Sequence, residues 1–344
     1  MMCTLFSSFF LSCWKKQSHD VPEVILPNYT VSGTVFNSVT KEPLPQVTLF
    51  VDDKETVTDS LGRYSISEVD GGKNHVIVIS KYGFETQNTG FQMGYADLDS
   101  FDFVLGKLLY FTDQIEGPGP EPNGLVWIED VPWANCGLRK RMYVLDEAHG
   151  LEVVKYFDSP GSYPPKGKYS TPYGMTTTEE GGTKYLWVSV AFDDGTASVY
   201  KMALRPDTTL STVAHYNTPE SIYSSIDYVL LNDLTYDGTH IWSCSSREGK
   251  FYRHRSDMSV DTSITGSVVD PSGIAWDGEK FWVSSRDSDK LYMLNAEDFE
   301  SRGYYILQED PIGGLFYKDG YLWACRHGSQ NWPSYFYTYR IDSL

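Results

Sequence analysis

The sequence predicts an all-β protein of two parts, a small β-sandwich followed by a five-bladed β-propeller. Three observations carry that prediction. Aromatic residues make up 15% of the chain, and 25 Tyr and 9 Trp stand beside 29 Gly and 17 Pro, a composition suited to short strands joined by tight turns. Apolar residues alternate with period two from about residue 29. Beyond residue 107 a unit built on Gly, Trp and Tyr recurs. At 344 residues the chain also exceeds the usual span of one compact core, so two domains are expected.

The chain opens with MMCTLFSSFFLSC, residues 1–13, an apolar run too short to span a bilayer and long enough for the core of a secretory signal. Phe10-Leu11-Ser12-Cys13 resembles a bacterial lipoprotein box, which implies cleavage before Cys13 and acylation of that residue. Residues 14–28 are polar and proline-bearing without periodicity, and read as a tether. The expected location is therefore the cell envelope, lipid-anchored, with plain secretion as the alternative.

From residue 29 to 106 the text YTVSGTVFNS, KEPLPQ, VTLFVDD and HVIVISKYGFET alternates as half-buried strands do. Between two of them, Asp59 and Gly62 supply turn chemistry: Asp bonds its own turn backbone and Gly takes positive φ. SGTVFNSVTKEPLPQVTLFV, TDSLGRYSI and VIVISKYGFET together resemble the carboxypeptidase regulatory-like domain. That resemblance implies a transthyretin-like, Ig-like sandwich without catalytic residues of its own.

Residues 107–344 are read through their repeats. PNGLVWIEDVPWANCGLRKRMYVLD and PSGIAWDGEKFWVSSRDSDKLYMLN align without a gap, with Gly to Trp nine residues and Trp to Tyr ten. A third copy keeps this spacing through Trp242 and Tyr252 but has Asp233 in the Gly position. Gly314 and Trp323 begin a fourth with a longer step to Tyr337, and Gly174, Trp187 and Tyr200 mark a looser fifth. Each unit reads as an inner strand, a hairpin, an aromatic second strand, a polar turn and a third strand. Outer strands follow four copies, and the strand at 107–114 is expected to complete the last blade and close the ring. Residues 217–231 are read as a loop, with six blades as the alternative. The units resemble NHL-type, gluconolactonase-like and glutamine-cyclotransferase-like propellers. The repeat tryptophans Trp133, Trp187, Trp242, Trp282 and Trp323 are expected to pack between blades.

The charge balance excludes some partners. With 28 Lys+Arg against 46 Asp+Glu the formal charge is -18, which repels phosphate backbones, so nucleic acid is not an expected partner. Cys136, Cys244 and Cys325 form no CxxC pair and are expected to be buried free thiols.

In such a ring the turn after the second strand and the start of the inner strand share one face, the channel mouth. There the sequence places Arg247, Glu248, Arg286, Asp287, Arg326, His327, Asp193 and Asp194, with Asn123, Tyr173, Asn232 and Ser272 at the inner-strand starts. Charged groups from several blades suit a carboxylate, a sugar or an ion. No catalytic motif is recognised, and neither a metal site nor a cofactor is expected: no GxSxG elbow occurs and the seven His lack ligand spacing. The expected function is a binding module for a protein, glycan or small ligand at the mouth. The alternative is a periplasmic enzyme of lyase, lactonase or cyclotransferase type acting there.

Overall fold

The computed structural model describes residues 27–162, 169–205, 209–219, 230–309, 313–327 and 333–341. The leader, Cys13 and nearly all of the tether lie outside them, as does most of the stretch 217–231.

The first seven strands are β1 (Asn28–Asn37), β2 (Thr48–Val51), β3 (Lys54–Val57), β4 (Arg63–Asp70), β5 (Asn74–Ser80), β6 (Gln87–Gln92) and β7 (Phe103–Leu105). They make two sheets, ordered β4-β1-β7 and β3-β2-β5-β6, in which β1 runs antiparallel to β4 and parallel to β7. Alternating residues such as Val31, Val35, Leu49, Val51, Ile77 and Ile79 point inward and exclude water between the sheets. The turn before β4 is held by one side chain. Asp59 accepts the Leu61 and Arg63 N–H groups at 2.8 and 2.9 Å, and Gly62 turns the chain at φ 69°.

The remaining strands form meanders. The first blade is β10 (Leu125–Ile128), β11 (Val131–Cys136), β12 (Arg141–Asp146) and β13 (Glu152–Asp158), where β8 (Lys107–Leu109) and β9 (Asp113–Glu116) have already passed. The second is β14 (Ser170–Glu180), β15 (Thr183–Phe192), β16 (Ala197–Leu204) and β17 (Leu210–Asn217). The third is β18 (Asp233–Tyr236), β19 (Ile241–Ser245), β20 (Lys250–His254) and β21 (Val260–Thr265). The fourth is β22 (Pro271–Trp276), β23 (Phe281–Ser285), β24 (Ser288–Leu294) and β25 (Ser301–Leu307), and the fifth is β26 (Leu315–Lys318), β27 (Tyr321–Arg326) and β28 (Tyr335–Arg340). Inner strands adjoin in chain order and β26 adjoins β10, so the described sheets ring an axis.

Closure differs from the sequence expectation in one respect. The segment 107–114 does not act as one strand: β9 pairs antiparallel with β28 and completes the fifth blade, whereas β8 adds in parallel to β25 of the fourth. The physical reason is the sandwich. Its Ser38 accepts the Lys107 N–H at 3.1 Å and donates to the Tyr304 carbonyl at 2.7 Å, which holds the outgoing chain against the rim of the fourth blade. Gly303 is needed at this contact, because a Cβ there would stand 2.5 Å from the Ser38 carbonyl oxygen.

Between neighbouring blades lie five separate apolar clusters, one for each pair around the ring. The repeat tryptophans supply much of their volume. Trp133, Trp187 and Trp282 stack on Phe157, Tyr216 and Tyr305 of their own outer strands, while Trp242 meets Phe281 of the next blade edge-on. In two blades the hairpin Asp fixes the indole: Asp237 accepts the Trp242 N–H and Asp277 the Trp282 N–H, both at 2.7 Å. Cys136, Cys244 and Cys325 are buried and free. Buried His254 is satisfied as the neutral ring, with Nδ1 donating to the Met258 carbonyl and Nε2 accepting from Ser243 at 2.8 Å.

At the axis the inner strands come too close for side chains. A Cβ on Gly174 would collide with the Asp233 backbone, and one on Gly314 would stand 2.6 Å from the Asn123 carbonyl oxygen. Asp233 is the exception and fills the axis. Its carboxylate accepts the N–H groups of Leu234 at 2.9 Å, Ile274 at 2.9 Å and Leu315 at 2.8 Å, and that of Met175, so one side chain serves the second, third, fourth and fifth blades.

Burial pushes the Asp233 carboxyl up to about 8, against the downward pull of those four donors. A carboxyl held more tightly protonated in the folded chain stabilises most below its unfolded value near 4, and that contribution is lost as pH rises through about 8. Urea denaturation should therefore show stability falling between pH 5 and pH 8.5, and Asp233→Asn should remove that slope. Asp233→Gly, which restores the residue of the other repeats, should cost at least about 3 kcal/mol at both pH values because buried N–H groups are orphaned. Parallel pH profiles for wild type and Asp233→Asn would refute the assignment.

Candidate functional site

The second strands end and the inner strands begin on the same face, as the pairings of Leu125 with Ala134, Asp233 with Cys244, Pro271 with Ser285 and Leu315 with Ala324 require. This face is the channel mouth, and Asp233 closes the axis just inside it.

Three residues expected at the mouth come together there from three blades. Arg286 follows β23 and is exposed, and its guanidinium makes no hydrogen bond or ion pair among the described residues. Its positive charge nonetheless reaches Tyr173 of the second blade, Cys244 of the third and His327 of the fifth, lowering the pKa of each. Burial raises the Tyr173 hydroxyl above its usual range, with Arg286 opposing and Glu121 reinforcing that rise. Burial and then Arg286 push His327 down to about 4, so its ring is neutral at pH 7. One ring nitrogen bonds the Pro122 backbone, while Nε2 is shielded from water and has no partner among the described residues. Because the proton sits on the nitrogen facing Pro122, Nε2 presents a lone pair.

The other expected residues are engaged elsewhere or stand apart. Asn123 and Asn232 are buried ties: Asn123 donates to the Pro172 carbonyl of the next blade at 2.9 Å, and Asn232 accepts the Ser246 N–H at 2.8 Å. Ser272 is buried and shares a hydrogen bond with Ser284 at 3.1 Å. Glu248 is buried, close enough to Tyr252 to raise its hydroxyl pKa. Asp193 pairs with Lys140 of the first blade at 3.1 Å, and Asp194 accepts the Thr196 N–H and hydroxyl at 3.0 and 2.6 Å, closing its own turn. Arg326 pairs with Glu309 at 2.8 Å. Arg247 and Asp287 are exposed.

Glu121 was not foreseen. It lies in the stretch EGPGPEP ahead of the first repeat, where no repeat position marks it, and its charge acts on Tyr173 and Cys136. Hollows open on the opposite face. One of about 300 Å³ is lined by Asp113, Glu147, Lys318, Tyr321 and Trp323, among others. Its polar groups are spent internally, since Glu147 accepts the Trp127 indole N–H at 2.9 Å and pairs with Lys318 at 3.4 Å. Among the described residues no group of three or more His, Cys, Asp or Glu side chains is placed to hold a metal ion.

Residues 31–106 match the CarboxypepD_reg-like domain family. No curated protein matches the sequence. Among solved structures, the chain is similar to the glutaminyl cyclase of Myxococcus xanthus at 10% identity and a TM-score of 0.48, over 67% of this chain and 97% of that one. It is similar to the PQQ-bound aldose sugar dehydrogenase of Streptomyces coelicolor at 11% identity and a TM-score of 0.43, over 67% and 97%. The calcium-binding protein regucalcin of Agrobacterium tumefaciens aligns at 9% identity and a TM-score of 0.41, over 68% and 96%. These neighbours include enzymes and a binding protein, and the ring of blades in this chain rests on its own strand pairings.

Because Arg286 lowers both neighbours, its removal has a defined sign. In Arg286→Gln the His327 pKa should rise from about 4 while staying below the ordinary histidine value, since burial persists. The Tyr173 pKa should rise further. NMR titration of the His327 ring reads the first change, and an unmoved His327 would separate Arg286 from the site.

Proposed function

We propose that this chain is an exported cell-envelope lipoprotein whose propeller mouth binds a ligand. The observation that supports the binding role is the convergence of Arg286, Tyr173 and His327 from the fourth, second and fifth blades. A guanidinium that no other described residue pairs with, exposed on this face, is a recognition group open to an acceptor. Just inside this face Asp233 ties the inner strands together at the axis, which gives the mouth a rigid floor.

The sandwich then acts as a rigid spacer. It joins the fourth blade through Ser38, Gly303 and the parallel strand β8, so the mouth is presented in a fixed orientation relative to the N-terminal domain. The lipoprotein part of the proposal rests on the box ending in Cys13.

Thermal denaturation against calcium, sugars, organic acids, amino acids and short peptides tests the binding role. At least one of these probes should raise the melting temperature of the wild type and fail to raise that of Arg286→Ala, while Arg247→Ala responds as the wild type does. If every stabilising probe acts equally on Arg286→Ala, the mouth is not the binding site. For export, Cys13→Ser should abolish labelled palmitate incorporation and move the protein from the membrane to the soluble fraction; unchanged labelling would exclude lipidation at this residue.

A further inference from the structure

The turn between β11 and β12 of the first blade holds Arg139-Lys140-Arg141, the one place where three Lys or Arg residues follow each other in a chain of formal charge -18. It lies on the mouth face, where the second strand ends. Its backbone is fixed: the Lys140 N–H donates to the Gly137 carbonyl at 3.1 Å, and the Lys140 carbonyl accepts the Ser159 N–H at 2.9 Å. Beside the turn is a cavity of about 360 Å³ lined by Arg139, Lys140, Arg141, Asp158, Ser162 and Tyr169, among others.

The three cations are held differently. Lys140 pairs with Asp193 of the second blade at 3.1 Å and stands 5.1 Å from the centre of the Tyr169 ring. Arg141 is placed by Tyr156, with its guanidinium carbon 4.0 Å from the ring centre, a contact that leaves N–H groups in the guanidinium plane for other partners. Arg139 is exposed, and its guanidinium makes no hydrogen bond or ion pair among the described residues. Asp158 faces Arg141 across the β12–β13 ladder, and Ser162 is set in place by accepting the Ser170 N–H at 3.0 Å. Three cations set against Asp158 and Asp193 leave a single positive charge over.

We propose that this cavity binds a singly charged tetrahedral oxyanion carried on an organic group, a sulfate ester or a phosphodiester, between the Arg139 and Arg141 guanidiniums. The site uses none of Arg286, Tyr173 or His327, so it goes beyond the reading of the mouth and does not depend on it. A carboxylate fits less well, because one guanidinium fork occupies both of its oxygens and leaves the second guanidinium idle. A tetrahedral oxyanion spreads its oxygens in three dimensions and engages both. A dianion brings one charge more than the cavity offsets and meets Asp158 on the wall. A long polyanion is opposed by the charge of the whole chain.

Isothermal titration of the full chain at pH 7 with glucose 6-sulfate, dimethyl phosphate, glucuronate and glucose tests the assignment, alongside Arg139→Gln, Arg141→Gln and Arg286→Gln. One of the two esters should bind the wild type at least about tenfold more tightly than glucuronate, and the preferred ester identifies the source of the oxyanion. Arg139→Gln and Arg141→Gln should each weaken that binding at least about tenfold, the loss of a hydrogen bond between charged groups, while Arg286→Gln binds as the wild type does. Circular dichroism checks folding, and the exposed Arg139 carries the test if Arg141→Gln is not folded.

Glucuronate bound as tightly as the better ester would overturn the tetrahedral class. Ester binding that survives Arg139→Gln and is lost in Arg286→Gln would move the anion to the axial mouth, ending this inference and supporting the broader reading. Failure of both esters to bind the wild type would end it as well, whatever the mouth binds.

Discussion

The propeller depends on how the backbone is satisfied at its axis. Inner strands drawn together around a line have no room for side chains, and their N–H groups point where neither water nor a neighbouring strand can serve them all. A single carboxylate resolves this. By accepting N–H groups from four blades, Asp233 replaces four separate costs with one buried carboxyl surrounded by donors. Gly314 of the fifth blade leaves room for this side chain, and Gly174 of the second lies against its backbone.

From that arrangement the rest follows outward. With the inner strands held at close approach, each sheet presents its faces to two neighbours, and every apolar cluster is shared between blades rather than owned by one. No blade buries its tryptophan face alone, which makes the ring cooperative although it is built from repeats. The mouth inherits this rigidity: Arg286 and His327 lie just beyond strands locked at the axis, and Tyr173 just before the Gly174 contact with Asp233, so their mutual placement follows from backbone packing.

Much of the fold was legible because its signals are local. The Asp59 turn, the alternation in the sandwich and the recurring interval from glycine to tryptophan each lie within a short window, and the outer strands fell where the text placed them. What was less legible depends on partners distant in sequence. Asp233 read as a repeat that had lost its glycine, since nothing nearby shows that three other blades would converge on it. The apolar run at 107–114 gave no sign that its halves would join different sheets. At the mouth, local polarity did not separate Asn123, Asn232 and Ser272, which are buried ties, from Arg286, whose guanidinium is unpaired among the described residues. Glu121 stood outside the repeat and so outside the comparison that located the others.

The last sheet is assembled from the two ends of the domain, β9 contributing its outer edge and β28 its neighbour. During synthesis these strands emerge more than two hundred residues apart, as the 226-residue separation between Thr112 and Thr338 records. The sandwich has its own core and is free to form as soon as it leaves the ribosome, whereas the ring stays open until the final strand is released. For the intervening seconds at ordinary translation rates, roughly 5–20 residues per second, the nascent blades carry uncovered tryptophan faces.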